Sequence, residues 1–543
     1  VLVWLLLRKL KVRGAWVAGA IFALHPVYVE SVAWITERKN VLSGMFYLLA
    51  VGSYLRFADR RDWRWYAGAL GFFVMALLSK TVTSSLPIVL LFILWLQGQK
   101  VSWRKIGHLI PFVAIGLIMG LLTVWYEVHH VGAQGEEWNL SILQRILLAG
   151  RALWFYAIKL VWPVNLTFIY PRWQLTITDL RQWLWPLGAA AVGFVAWWFH
   201  RRVGRGPLVG LAFFSITLFP ALGFFDVYPM RYSFVADHFQ YLASLGLIAL
   251  SVASAAWGFE RLGSGQKRWR ATLYRLEVVL VVIVLLVLGL STWKQTHAYK
   301  DLKTLWQDTI HKNPKAWMAH TNLGLVYFDQ GRIEEAITEY QAALSLSPNH
   351  ANIHTALGAA YFKQRHIKDA IKELKIALKL DPNYADAHNN LGLIYFDQGQ
   401  IGEAIREYKL ALKLNPYNAG IHGNLGRAYF TQGRIEEAIN EYLTVVRIKP
   451  DHADAHYNLG AIYQKKGMFK EAVREYKKVL EFDPMAVDAH YNIGVIYTMS
   501  DLFDQAVVEF QETLRIDPGF EEAKKKLEFL NQFNRQRKKQ QTQ

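Results

Sequence analysis

The 543-residue chain has no cysteine. That absence removes disulfides, zinc–thiolate centres and thiol nucleophiles, although it assigns no compartment. Acidic residues are scarce in the first part: residues 1–294 carry 12 Asp and Glu against 29 Lys and Arg, whereas residues 317–520 carry 26 against 21. The net charge of +18 therefore does not describe a basic soluble face, and no nucleic-acid partner is expected, since a phosphate-binding stripe needs its cations gathered on such a face. The first apolar run does not have the pattern of a signal peptide either. Arg8, Lys9, Lys11 and Arg13 follow the first apolar run, Val1–Leu7, instead of preceding it, and that run is too short to cross a bilayer. The chain reads as a fragment beginning inside a span.

What is present falls into two chemically different parts joined near residue 295. Before the junction, apolar runs of membrane-spanning length alternate with short polar loops. The longest are Ile106–Tyr126, Trp183–Phe199, Leu208–Phe225, Gln240–Phe259 and Leu276–Trp293; shorter ones lie at 14–25, 41–57, 65–79 and 85–97. With the partial first run, residues 1–294 form a polytopic membrane domain of about ten spans. Five loops, at 8–13, 56–64, 100–105, 201–205 and 261–275, hold 19 of the 29 basic residues and are assigned to the cytoplasm by the positive-inside rule. The intervening loops hold Glu30, Glu37, Glu127, Glu136, Glu137, Asp179, Asp226 and Asp237. Ser141–Val164 carries Arg145, Arg151 and Lys159, and letting it cross would export Arg201, Arg202 and Arg205. It is read as an interfacial or re-entrant helix on the non-cytoplasmic side. The last span then delivers the second part to that same side: the periplasm of a bacterial inner membrane, or the endoplasmic-reticulum lumen in a eukaryote.

After the junction a 34-residue period is marked by Pro314, Pro348, Pro382, Pro416, Pro450, Pro484 and Pro518. This spacing is that of tetratricopeptide (TPR) helix pairs, so the fold class is all-α: a polytopic helical membrane domain followed by an α-solenoid. Residues 295–316 form a linker with a lone TPR-like helix, 317–520 six repeats, and 521–543 a capping helix at Glu521–Phe533 with a basic tail, Arg535–Lys539, expected to be disordered. Gly324, Gly358, Gly392, Gly426, Gly460 and Gly494 are expected to let the first helix of each pair approach the second, against Ala336, Ala370, Ala404, Ala438, Ala472 and Ala506. Tyr327, Tyr361, Tyr395, Tyr429, Tyr463 and Tyr497 fill the space between. His320, His354, His388, His422, His456 and His490 share one position and are read as packing, because helices about 8–10 Å apart cannot converge on one zinc ion. Asn322, Asn390, Asn424, Asn458 and Asn492 line the groove-facing side, where an amide that both donates and accepts can hold an extended polypeptide or protein partner by its backbone.

Three polar clusters are assigned to the non-cytoplasmic face of the membrane domain: His25–Asn40; Ser79–Thr81 with Glu127–His130 and Glu136–Glu137; and Tyr228–His238. Ionisable groups there are costly unless they serve a site. The candidate donor or phosphate residues are His25, Glu30, Arg38, Lys39, Lys80, His129, His130, Arg231, Asp237 and His238. Acids in this set suit a base or a metal ligand, and its cations suit a phosphate. Interfacial caps and ion pairs would give the same residues.

The stretches HPVYVESVAWITERKN (25–40), LLSKTVTSSLP (77–87), WPVNLTFIY (162–170) and VADHFQYLASL (235–245) resemble the membrane portion of the transmembrane and tetratricopeptide-repeat protein family. The resemblance implies a GT-C glycosyltransferase fold and transfer of a sugar from a polyprenyl-phosphate donor to protein, the lipid-linked sugar being substrate; the cofactor is left unassigned, with a divalent metal as one option and no metal ligand named. It also implies a key acid in the first non-cytoplasmic loop, which is expected upstream of Val1, so the catalytic residue is left unassigned. The Asn series resembles the asparagine ladder of the nucleocytoplasmic O-linked N-acetylglucosamine transferase. The competing reading is a non-catalytic membrane-anchored TPR scaffold.

Overall fold

The computed structural model describes residues 1–100, 102–131, 138–264 and 267–541. Glu136 and Glu137 lie outside them. The chain divides into two compact units, Val1–Val326 and Tyr327–Gln543.

The first unit contains α1 (Leu2–Lys9), α2 (Ala15–Leu24), α3 (Val29–Ala33), α4 (Arg38–Arg60), α5 (Trp63–Ser79), α6 (Leu86–Leu96), α7 (Trp103–Tyr126), α8 (Ile142–Val161), α9 (Leu184–Val203), α10 (Gly206–Leu218), α11 (Ser244–Ser264), α12 (Lys267–Thr296) and α13 (Leu302–Lys312). Every apolar stretch singled out in the sequence contains a helix. Among the described residues four segments are long and apolar enough to cross a membrane: 35–60, 103–131, 244–263 and 270–299. The bent pair 15–24 and 26–33 makes a fifth if it counts as one span. Leu208–Phe225 is not continuous helix. α10 stops at Leu218, where Pro220 lies in a 3-10 turn, and Gly223 has φ +90, a left-handed conformation that Gly tolerates.

Local chemistry fixes the joints. Arg61 adopts φ +59 between α4 and α5, and the Asp62 carboxylate accepts from the Arg64 amide at 2.9 Å to cap α5. Ser141 and Gln144 form a reciprocal capping box at the start of α8. The three basic residues of α8 are all engaged. Arg145 donates to Asp226 at 2.8 Å and to the Gly223 carbonyl at 2.7 Å, Arg151 lies over the Trp173 ring, and Lys159 donates to the Val164 carbonyl at 2.6 Å. α8 is not among the candidate spans.

The interior of this unit is built on Tyr47, Tyr54, Phe73 and Phe112, with Leu77, Leu86 and Leu90. Where lipid is the solvent, close packing of small residues does much of the work that the hydrophobic effect does in water. A Cβ on Gly246 of α11 would lie 2.4 Å from the Gly210 carbonyl of α10, so this crossing needs glycine. α13 packs into the same unit: Lys312 and Asn313 donate to the carbonyls of Leu166 and Ile169 at 2.8 and 3.2 Å, and the Trp306 ring meets those of Trp34 and Phe168.

The helix pairs of the array are α14 (Trp317–Asp329) and α15 (Ile333–Leu346), α16 (Ala351–Lys363) and α17 (Ile367–Leu380), α18 (Ala385–Asp397) and α19 (Ile401–Leu414), α20 (Ala419–Thr431) and α21 (Ile435–Ile448), α22 (Ala453–Lys465) and α23 (Phe469–Phe482), and α24 (Val487–Met499) and α25 (Phe503–Ile516). α26 (Glu521–Gln541) follows. Its backbone stays helical through Arg535–Lys539, where a disordered tail was expected; Gln, Arg and Lys are good helix formers and no Gly or Pro interrupts them. The repeat glycines are also covered by larger side chains of the facing helix, and not always by a ring: a Cβ on Gly358 would lie 2.9 Å from the Leu374 side chain. A Cβ on Gly392, Gly460 or Gly494 would lie 2.6, 2.8 or 2.8 Å from the ring of Tyr408, Tyr476 or Phe510 on the second helix, and Gly426 sits under Tyr442 in the same way. The second-helix alanines are fully buried beside them.

Candidate functional site

Two of the three polar clusters, and Lys80 of the other, meet although up to 208 residues separate them. Glu30 leaves the short helix α3 and is only 2% exposed. Its Oε1 accepts from Nδ1 of His238 at 2.7 Å, while its Oε2 has no hydrogen-bond partner among the described residues. With Nδ1 committed to Glu30, Nε2 of His238 faces Oε2 of Glu37 at 3.7 Å. Glu37 also holds Lys80 at 3.5 Å, Lys39 at 3.3 Å and the Asn40 amide at 2.8 Å. Asn40 donates to Ser31 Oγ at 3.3 Å and accepts from the Lys80 ammonium. Lys80 can reach this centre because α5 ends at Ser79 and the chain turns extended at the next residue. Burial pushes the Lys80 ammonium pKa down, and Glu37 beside it opposes that shift.

Asp237 lies next to His238 in the chain but faces another way. It is 3% exposed, and both of its oxygens accept from the Tyr170 hydroxyl, at 2.9 and 3.0 Å. Burial, reinforced by the charge of Glu30, holds its carboxyl well above the usual carboxylate range.

The remaining candidates stand elsewhere. His25 is buried with Nε2 against the Leu160 carbonyl at 2.9 Å and Nδ1 accepting from the Val27 amide, so both ring nitrogens serve the turn. Arg38 donates to the Val32 carbonyl at 3.3 Å on the exposed side. His129 and His130 stack on Trp125 and Tyr126 in a π-helical turn at the end of α7. Glu127 of that turn accepts from the Tyr228 amide at 3.1 Å and so ties it to the segment carrying Arg231, whose guanidinium lies 5.8 Å from the Trp317 ring centre. Among the described residues no three His, Asp or Glu side chains form a group able to hold a metal ion. Sequence reasoning did not pick out Glu37 and Asn40 as site residues, although both lie in the quoted 25–40 stretch. It also missed Tyr170, whose signal was the 162–170 stretch.

In the array each His has a partner. Nδ1 of His354, His388, His456 and His490 lies 2.6, 2.6, 2.7 and 2.6 Å from Glu373, Glu407, Glu475 and Glu509, and His422 meets Glu441 likewise. The clue was a Glu 19 residues after every ladder His. The five groove asparagines are half-buried. Asn424 donates to Asn389 at 3.0 Å and Asn492 to the Tyr457 hydroxyl at 3.1 Å, so part of the ladder is held in place by the preceding repeat.

Comparison with known proteins agrees with both parts. Residues 1–126 match the model of the dolichyl-phosphate-mannose-protein mannosyltransferases. Tetratricopeptide models match 313–364, 366–399, 392–433, 426–467 and 453–485. The human protein O-mannosyl-transferase TMTC1 is 26% identical over 400 residues, covering 63% of this chain and 43% of the relative. The chain is thus similar to a protein O-mannosyl-transferase over 63% of its length. Another, F38B6.6 of Caenorhabditis elegans, is 24% identical over 62% of this chain and 46% of its own length. The chain thus spans less than half of these curated relatives. Among solved structures, MamA is 29% identical with a TM-score of 0.29, covering 30% of this chain and 95% of its own. The mannosyltransferase-type match thus falls in the part that holds the candidate membrane spans, and the tetratricopeptide matches fall in the repeats that follow.

Proposed function

We propose that this chain is a membrane glycosyltransferase of GT-C type that moves a sugar from a polyprenyl-phosphate donor to a hydroxyl of a protein held in the repeat groove. The observation that carries the reading is the buried network of Glu30, His238, Glu37, Asn40 and Lys80, assembled at the ends of helices in the part that matches the mannosyltransferase model and in the 235–245 segment. In such a transfer the acceptor hydroxyl attacks the anomeric carbon, the bond from that carbon to the phosphate oxygen breaks, the polyprenyl phosphate leaves with the electron pair, and the hydroxyl proton passes through water to solvent or to that phosphate. Lys80 is the group that meets the negative charge growing on the leaving phosphate, and a buried cation does this far better than one in water. The unpartnered Oε2 of Glu30 is a place for a sugar hydroxyl, since an orphaned buried carboxylate oxygen is costly until a donor arrives. The half-buried Asn ladder supports an extended acceptor polypeptide. On this reading both the network and the array face the non-cytoplasmic side.

The test is glycopeptide mass spectrometry of non-cytoplasmic proteins from cells with the gene, without it, and with a Lys80→Met copy. Hexose-bearing Ser and Thr peptides that vanish on deletion and do not return with Lys80→Met are the expected result. Identical glycopeptides in all three strains would discard the enzyme and leave the scaffold.

A further inference from the structure

A second charged feature is not used by that network. The end of α8, the loop after it and the end of α13 enclose a cavity of about 670 Å³, and its wall includes Arg151, Lys159, Thr167, Trp173, His311 and Lys312. Among the described residues no carboxylate lines it. The Arg151 guanidinium stacks 4.4 Å from the Trp173 ring centre, and its N–H groups have no acceptor among the described residues. A guanidinium stacked in this way keeps its in-plane fork of donors for an oxyanion. Lys159 and Lys312 are steered together by the same loop, through the Val164 carbonyl at 2.6 Å and the Leu166 carbonyl at 2.8 Å. Lys312 has Asp308 at 2.7 Å, while Lys159 has no carboxylate at salt-bridge distance. Burial lowers the pKa of both Arg151 and Lys159; at Lys159 the charge of Asp237 opposes that shift and the like charge of Lys312 adds to it. Thr167 is 3% exposed and its hydroxyl has no hydrogen-bond partner among the described residues. Asp237, the carboxyl behind Tyr170, is already occupied by that hydroxyl.

We infer that this cavity is a phosphate-binding site, separate from the Lys80 network, in which Arg151, Lys159 and Lys312 supply the charge and Thr167 a hydroxyl hydrogen bond. The phosphate is either that of an anionic lipid headgroup or free in solution. Val161 and Trp162, 80% and 67% exposed beside the pocket, are residues that settle at a membrane interface and would bring the cavity to headgroup depth.

The experiment uses the full chain in nanodiscs of phosphatidylcholine, with and without phosphatidylglycerol. Lipid retention is read by native mass spectrometry, and binding of radiolabelled inorganic phosphate by equilibrium dialysis. The expected result is saturable binding of at least one probe that falls about tenfold in Arg151→Gln and again in Lys312→Gln, and severalfold in Thr167→Val, an isosteric change that removes only the hydroxyl. Arg181→Gln, at a residue 93% exposed in its side chain, should leave binding unchanged. Loss confined to phosphatidylglycerol names the lipid, and loss of inorganic phosphate names the free anion. Binding of neither probe, or binding that Thr167→Val and the charge variants leave at the wild-type level, overturns the assignment.

Discussion

Replacing Glu441 by Gln should remove a pH dependence that resides in the fourth repeat. In the native array the His422 ring has the Glu441 carboxylate at Nδ1 and the Pro416 carbonyl 3.0 Å from Nε2. Both neighbours are acceptors, so only the imidazolium, with two N–H donors, satisfies both. The hydrogen bond to Glu441 accordingly raises the His422 pKa above 6.5 in spite of partial burial. A pKa raised by folding gives stability that is complete below the unfolded value and is lost as pH rises through the folded value. The repeat is therefore tighter at about pH 5.5 than at about pH 8, a window in which histidine changes charge and carboxylates do not. A hydrogen bond to a charged group contributes about 1.5–3 kcal/mol. This pair is partly open to water, and screening reduces the expected effect to about 1 kcal/mol. Amide hydrogen exchange of the full chain in detergent, corrected for intrinsic rates, reads it locally. Peptides from α20 and α21 should be roughly fivefold better protected at the lower pH, and Glu441→Gln should abolish that difference while leaving α24 and α25 unchanged. An unaltered pH slope in Glu441→Gln, or protection that rises with pH in the wild type, refutes the reasoning.

Three further outcomes follow from the geometry. Gly460→Ala places a methyl group 2.8 Å from the Tyr476 ring and should cost about 1–3 kcal/mol; Gly402→Ala, where a Cβ meets nothing within 4 Å, should stabilise α19 by about 0.5–1 kcal/mol. The opposite signs are read by urea denaturation of both variants, and equal shifts would contradict the packing account. Lys80→Met should lower glycosyl transfer at least about 100-fold with unchanged circular dichroism, as loss of one buried electrostatic contact in a transfer site does. Changing Asn322, Asn390, Asn424, Asn458 and Asn492 to Ala should weaken capture of an extended polypeptide about tenfold without shifting the melting curve; undiminished capture would remove the ladder from the groove reading.

The repeats were the most legible part because their information is local. A 34-residue period, a proline ending each second helix and a glycine at one contact are enough to write out helix pairs that mainly pack against their neighbours. Even there the spacing does not say which large side chain covers a glycine. Tyr327 and its equivalents share a helix with the glycines, whereas Tyr408, Tyr442 and Tyr476 come from the facing helix, and only the crossing of the two helices shows which ring lands on the backbone. Apolar length likewise located the membrane helices, but not the break at Pro220 or the partners of α8, whose Arg145 is met by Asp226 and Arg151 by Trp173. For the candidate site, polarity in the wrong solvent marked the right stretches without ranking the residues inside them. His25 and His238 look equivalent in the sequence; one is spent on the carbonyl of Leu160, the other on Glu30.

The sequence by itself determined the division into a membrane part and a solenoid, the repeat register and the candidate polar stretches. Each of these is written in spacing and transfer free energy, which act residue by residue. Only the tertiary structure decided that Glu30, Glu37, Lys80 and His238 share one buried network, that Asp237 turns to Tyr170, and that each histidine from His354 to His490 in the ladder faces a glutamate. The physical reason is that a buried charge is tolerable only with a partner, and the partner is chosen by how helices pack across the chain rather than by what stands beside it in the sequence.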